Sequence, residues 1–180
     1  MARGRAAWLA AAAMAVFAST WVGNVPPDGP GAVANFVYAL TADRAATIDD
    51  AGGTHPVTTV GGINFCSAGP VSVVQRTWTL AAGSGALVLD APGTAPASIS
   101  AYSSANIGAA LQSADGLSLF AESSRALTIT GSVGGGGLVK AGRGTVALGG
   151  SNSLATVLVN EGTLNVLAMA ALDAQLPAAV

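Results

Sequence analysis

Short stretches in which apolar residues alternate with small or polar residues recur along the chain from about residue 45 onwards. A period of two is typical of strands with one buried face. The stretches follow one another roughly every ten residues, a spacing that favours an all-β sandwich, barrel or solenoid. They are residues 46–48, 77–80, 87–89, 98–100, 117–119, 127–129, 145–148, 157–159 and 163–166.

Composition and turn signals favour the solenoid among these folds. Charged residues make up only 9% of the chain, against about a quarter in ordinary globular proteins. Hairpin proteins usually carry Asn-Gly or Asp-Gly turns between paired strands, and between the stretches given above only Asp115-Gly116 fits that pattern. We therefore predict a stack of coils in which each inward residue lies above its counterpart. Such a core needs no large aromatic side chains.

The glycine-rich residues 134–152, GGGGLVKAGRGTVALGGSN, test three other interpretations. A phosphate-binding loop needs Ser or Thr after its Lys and then a helix, but Lys140 is followed by Ala-Gly and a strand. A dinucleotide fingerprint fails because no helix follows. A flexible linker would lack the regular apolar positions. We predict a corner over 131–137, strands over 138–141 and 145–148, and positive φ angles at Gly142, Gly149 and Gly150.

The N-terminus has the three parts of a secretory signal peptide. Arg3 and Arg5 precede an uncharged apolar run over 6–17, and small residues follow, with cleavage expected after Ala18. The run is shorter than the roughly 20 residues that span a bilayer. An alanine-rich amphipathic helix is the alternative, but polar residues at helical spacing are missing. We predict a signal helix over 1–20 and an exported mature chain without a membrane-spanning segment.

Residues 136–148, followed by Gly149-Gly150-Ser151-Asn152 and the closing segment 157–166, resemble the autotransporter-associated beta strand repeat. The pattern of that repeat runs Gly-Gly-Leu-x-Lys-x-Gly-x-Gly-Thr-Leu-x-Leu and closes on Val-x-x-Gly-Thr-Leu. The resemblance implies a passenger-type right-handed parallel β-helix. It also implies a protein that is secreted or displayed at the cell surface, associated with the outer membrane.

The resemblance also implies a domain layout. Residues 21–65 are similar to the leader module that precedes such repeats, and 66–167 are expected to form coils with one clear repeat at about 136–166. Residues 168–180 would be an incomplete tail, helical by propensity alone. Because family members usually carry more repeats and an anchor, we expect a truncated or N-terminal fragment.

Reactive side chains are sparse. The net charge of −2 and seven basic residues, of which Lys140 and Arg143 are the closest pair beyond the N-terminus, argue against a nucleic-acid partner. Asp49 and Asp50 are the only adjacent acidic pair. On a strand they would point to opposite faces, and we predict a solvated turn because the further oxygen ligands that calcium needs are missing. One His and one Cys cannot make a zinc site. We predict no catalytic, cofactor-binding or metal-binding residues, and the family shares no catalytic residues.

Three hypotheses for function follow. The first is a non-catalytic structural segment with an adhesin-like or stalk role, whose partners would be surface glycans or other cell-surface proteins. The alternative is a carbohydrate-binding module, or a fragment of a β-helical polysaccharide-degrading enzyme, in which Trp21 and Trp78 stack on sugar rings. For both tryptophans, packing in the core or at the end of the coils is the competing interpretation. The third hypothesis is a truncated reading frame without an independent function.

Overall fold

The computed structural model describes residues 7–9, 27–37, 43–49, 57–66, 77–82 and 86–167, and these residues form an all-β fold. Sixteen strands and no helix lie within these ranges. The strands are β1 Ala7–Leu9, β2 Val33–Val37, β3 Arg44–Asp49, β4 Val57–Val60, β5 Gly62–Cys66, β6 Thr77–Ala82, β7 Ala86–Leu89, β8 Ala97–Ala101, β9 Ser104–Ile107, β10 Leu111–Ser113, β11 Leu117–Ala121, β12 Ala126–Ile129, β13 Val133–Ala141, β14 Thr145–Leu148, β15 Ser153–Val159 and β16 Thr163–Val166.

The strands pair in two sheets. The seven-stranded sheet has the order β1-β3-β6-β9-β12-β14-β16, and the nine-stranded sheet has the order β2-β5-β8-β11-β13-β10-β7-β4, with β15 also on β13. All pairings are parallel except that of β1 with β3. Ala7–Leu9 lie within the predicted signal helix over 1–20 and form a strand instead. The rest of that segment lies outside the described residues, where the helix stays a prediction.

Successive sets of three strands lie on one another. β8, β9 and β10 pair with β5, β6 and β7 before them in the chain and with β11, β12 and β13 after them. The pairing continues through β5, which spans the predicted boundary at residue 65 between the leader and the coils. One set of strands therefore satisfies the backbone hydrogen bonds of the next, as parallel pairing across long sequence separations requires.

The core lies inside the sets because alternate side chains along each strand point inward. Strands β8 and β11 both show buried residues at positions one, three and five. The register brings inward residues above one another, as predicted. One column consists of Leu80, Ile107, Ile129, Leu148 and Val166.

Aromatic side chains fill the core near the first sets, although the predicted stack of coils does not require them. Phe36 stacks on Phe65 with ring centroids 5.1 Å apart, and Trp78 packs against Phe36 at 5.5 Å. All three side chains are buried.

The glycine-rich stretch forms strands more continuously than predicted. A corner lies within 131–137, as predicted, but it falls inside a strand: β13 runs unbroken from Val133 to Ala141, and it bends at Gly135, where φ is 123°. Before the bend β13 pairs with β10, and after it with β11. A Cβ at Gly135 would collide with the carbonyl oxygen of Ser113, so only glycine fits where the backbones approach.

The predicted turns after β13 and β14 have different outcomes. Gly142 has the predicted positive φ, at 75°, whereas Gly149 and Gly150 do not. Gly150 is needed for a different reason, because a Cβ there would collide with the carbonyl oxygen of Gly131 in the set before. Close stacking of two turns, rather than a left-handed backbone, accounts for this glycine.

Candidate functional site

The carboxylates of Asp28 and Asp43 serve the backbone of the strand stack. Asp28 Oδ1 accepts a hydrogen bond from the Thr59 backbone N–H at 3.0 Å, and Asp43 Oδ1 accepts one from the Thr77 N–H at 2.9 Å. Asp28 thus ties the segment before β2 to β4, and Asp43 ties the start of β3 to β6. Charged acceptors make the stronger kind of hydrogen bond, so these two groups act in architecture.

The other candidate groups do not converge within the described part of the chain. Asp49 ends β3, and Asp50 and His55 lie outside the described residues. Glu161 lies 3.6 Å from Arg143, and both side chains are largely exposed. Among the described residues, no three His, Cys, Asp or Glu side chains group around a common point.

Cys66 ends β5 and has a free thiol. Partial burial raises the pKa of this thiol, because a poorly solvated environment disfavours the thiolate. A reactive cysteine shows the opposite, a depressed pKa in an electropositive setting. The thiol therefore lacks the environment of a nucleophile, and its half-buried side chain lies at an outward position of β5.

Lys140, predicted only as one of the closest basic pair, is fully buried. It follows Leu138 by two residues on β13 and so shares its inward face. Its Nζ donates hydrogen bonds to the carbonyl oxygens of Ala141 at 2.9 Å, of Gly142, and of Glu161 at 3.0 Å. Because Glu161 belongs to the turn of the next set, this group, the Lys140 clamp, joins two consecutive turns.

The Lys140 clamp depends on a close fit in the neighbouring turn. Burial lowers the pKa of Lys140, and the Glu161 carboxylate opposes that shift by raising it. Gly162 has a φ of 70°, and a Cβ there would come within 2.7 Å of Lys140 Nζ. Lys140 is thus withdrawn from any phosphate, which leaves Arg143 as the exposed member of the basic pair.

Asn152 makes a second polar contact in the interior. Its Oδ1 accepts a hydrogen bond from the Val133 backbone N–H at 3.2 Å, and its Nδ2 donates one to the Gly150 carbonyl at 2.7 Å. The side chain is buried. A buried N–H without a partner is costly. Asn152 supplies the acceptor for the first N–H of β13.

The two tryptophans considered as sugar-stacking residues have different outcomes. Trp78 is buried against Phe36, and its Nε1 donates a hydrogen bond to the Cys66 carbonyl at 3.3 Å. Its indole is therefore unavailable to a ligand, and the core interpretation of this residue is confirmed. Trp21 lies outside the described residues.

A different aromatic pair, which the sequence reasoning missed, reaches the surface. Tyr102 directly follows β8 and is 47% exposed, and its ring centroid lies 5.3 Å from that of the half-buried Phe120 on β11. The alternation on β11 points to this position, because Phe120 lies between the inward Leu119 and Ala121. The pair is the aromatic part of an outward face formed by β2, β5, β8 and β11.

The last two strands carry most of the exposed large hydrophobic residues among those described. Val157, Leu158 and Val159 on β15 are exposed, as is Leu167 after β16. Leu164 and Val166 are only partly buried against the core. Within the described residues no further strand pairs with the outer edges of β15 and β16.

Within the described ranges, no helix has the length and apolar character needed to cross a membrane. Comparison of the chain with protein families, with curated proteins and with solved structures finds no match in any of the three.

Proposed function

We propose that this chain is a non-catalytic structural segment of an exported protein, built as a right-handed parallel β-helix with an adhesin-like or stalk role. The observation that carries the proposal is the stacking of successive three-strand sets in parallel register. Leu117, for example, pairs with Ala97 of the set before and with Leu138 of the set after. A fold made of repeated coils is stiff, extended and able to present long surfaces.

The inventory of side chains supports a role without catalysis. The charged groups whose contacts are known serve the backbone or pair at the surface: Asp28, Asp43, Lys140, and Arg143 with Glu161. A β-helical polysaccharide-degrading enzyme, the alternative, needs convergent carboxylates in a groove. The carbohydrate-binding part of that alternative has a separate observation in its favour, the exposed pair of Tyr102 and Phe120.

We propose that the chain belongs to the autotransporter-associated beta strand repeat family on the basis of residues 136–166, and two positions of the pattern support this. The pattern's Lys corresponds to Lys140, which binds the turn of the next set. The Gly of its closing Gly-Thr-Leu corresponds to Gly162, where a Cβ would crowd that same ammonium. These two positions support the proposal because they depend on coils of the repeat stacking on one another.

The location and size of the native polypeptide test the proposal. An antibody raised against residues 130–166 is applied to cytoplasm, envelope and medium of the source cells. We expect a band in the envelope or the medium. A mass well above 17.4 kDa would identify a segment of a longer surface protein, and a mass slightly below it a small exported one. A full-mass band confined to the cytoplasm would overturn the signal peptide and the surface role together.

A further inference from the structure

The outward face of β2, β5, β8 and β11 combines an aromatic pair with rows of neutral hydrogen-bonding groups. Ser100 lies beside Phe120 in the parallel register, and Ser98 lies beside Ser118. On the strands before them, Asn64 Nδ2 donates a hydrogen bond to Asn35 Oδ1 at 2.8 Å. Hydroxyl and amide groups therefore border Tyr102 and Phe120 along one continuous surface, which we call the aromatic-polar face.

Charge is missing from the outward positions of these four strands where their side chains are described. One exposed carboxylate borders the face: Glu122 directly follows β11, as Tyr102 directly follows β8, and its backbone N–H donates a hydrogen bond to the Ala101 carbonyl at 3.0 Å. These positions hold Val33, Asn35, Asn64, Cys66, Ser98, Ser100, Ser118 and Phe120. Lys140 is buried, and Arg143 lies beside Glu161. A polyanion would find no cation on this face. A neutral ligand has no charge of its own to desolvate on binding, and burying an unpaired charge is costly.

Aromatic and neutral polar groups together suit the chemistry of a sugar chain. A pyranose ring presents a patch of C–H groups on its faces and hydroxyl groups around its edge. Binding sites combine apolar and aromatic side chains with a few polar groups that fix orientation. Tyrosine suits such a position because its ring is apolar and its hydroxyl is polar. Tyr102 supplies both at the surface.

We infer that the aromatic-polar face binds a neutral polysaccharide, with the Tyr102 and Phe120 rings against a sugar ring and the Ser and Asn rows bonded to its hydroxyls. The inference rests on the proposed adhesive role and names its partner. Neighbouring strands of a sheet are about 4.8 Å apart, so the polar rows offer donors and acceptors at regular steps along a linear chain. The amide of Asn64 keeps one further N–H for a ligand after its bond to Asn35.

Affinity electrophoresis of the purified full-length chain tests this inference. Native gels contain hydroxyethyl cellulose, dextran or galactomannan as neutral probes and polygalacturonate as the anionic probe. We expect retardation by at least one neutral probe and none by polygalacturonate. Tyr102→Ser should weaken the binding by about tenfold or more, the effect of removing a central aromatic contact. Tyr102→Phe should stay within about threefold of the parent chain, because the ring is retained.

The control is Leu167→Ser, which removes an exposed apolar side chain away from the aromatic-polar face. It should leave retardation unchanged, and circular dichroism should show that all three variants keep the strand signal. No retardation by any neutral probe would overturn the inference, and so would equal retardation of Tyr102→Ser and the parent chain. A monomer–dimer equilibrium that responds to Tyr102→Ser, without glycan binding, would assign the face to a second copy instead. Because these measurements use purified protein, their outcome is independent of the cellular location that tests the proposed function.

Discussion

The first and the last sets of strands stack on their neighbours through different kinds of side chain. Between the early strands, Ile63 pairs with Ile99, a step of 36 residues, whereas Leu119 on β11 pairs with Lys140 only 21 residues later. The early core contains Phe36, Phe65 and Trp78, and the late core contains aliphatic residues with Lys140 and Asn152. The stacked rings therefore lie between sets that are far apart in the sequence, and the buried polar groups bridge sets that are close in the sequence.

This difference teaches where the stability of each region comes from. In the early sets, apolar area buried by aromatic rings is the main favourable contribution, since each ring buries a large surface. In the late sets, hydrogen bonds from two buried side chains satisfy backbone groups that tight turns would leave unpaired. We therefore expect substitutions to act regionally, and four measurements test this comparison.

The largest effect is expected from Phe65→Ala in the early core. The side chain is fully buried and stacked on Phe36, and removal of a buried Phe costs about 3–5 kcal/mol in the free energy of unfolding. Hydrogen exchange should show lost protection in β2, β5 and β8, with β14 and β16 changed least. Phe65→Leu is the control and should cost clearly less because it keeps most of the volume. Uniform loss of protection along the chain would contradict a regional division.

Lys140→Met should weaken the late region by about 2–3 kcal/mol, the cost of leaving buried backbone acceptors without a charged donor. The carbonyls of Ala141, Gly142 and Glu161 lose their partner. We expect faster exchange in β14 and β16 together with a lower urea midpoint. Arg143→Met, an exposed basic residue of the same turn, should change the midpoint little. An unchanged midpoint for Lys140→Met would show that the Lys140 clamp does not stabilise the late region.

Asn152→Ala should cost about 1–2 kcal/mol, because the Val133 N–H stays buried without an acceptor. Thermal unfolding followed by circular dichroism gives the difference. The matched substitution is Asn106→Ala, at an exposed position on β9, and it should be close to neutral. Equal effects of the two substitutions would show that the interior hydrogen bonds of Asn152 do not stabilise the late region.

The smallest effect concerns Cys66, at the margin of the early core. Since burial raises its pKa above 9.0, the folded thiol keeps a proton that the unfolded thiol loses, and stability should fall slightly as pH rises through that value. The rate of alkylation by iodoacetamide should rise with pH along a curve shifted upward from that in concentrated urea. Identical curves in the folded and unfolded chain would contradict the partial burial of the thiol.

Most strands could be predicted from the sequence. All nine predicted stretches fall within observed strands, because alternation with Leu, Val or Ile on one side is a direct signal of a half-buried strand. The missed strands are β1, β2, β4 and β5 in the early part of the chain, and β9 and β10, which read Ser-Ala-Asn-Ile and Leu-Gln-Ser and have few large apolar residues. β9 and β10 form because their neighbours in the stack supply the hydrogen-bond partners and the apolar surface.

The side chains of interest were less predictable. The core position of Trp78 was predicted as the interpretation that competes with sugar stacking. The burial of Lys140 was not predicted, although its alternation with Leu138 points it inward. Sequence reasoning resists burying a lysine because an unpaired buried charge is so unfavourable. The Glu161 carbonyl, 21 residues away, makes the burial possible. The pairing of Tyr102 with Phe120 likewise depends on a register between strands that no local pattern reveals.

The sequence by itself determined that the chain is rich in short strands, that alternate residues face a core and that glycines mark the bends. These are local properties, set by the period of side chains along a strand and by the steric freedom of each residue. Only the tertiary structure decided which strand lies on which, where the aromatic rings collect and why Gly150 and Lys140 are needed. Those outcomes depend on contacts between residues 18 to 36 positions apart, such as Val146 with Leu164 and Gly62 with Ser98, and the chain must complete a set before such contacts exist.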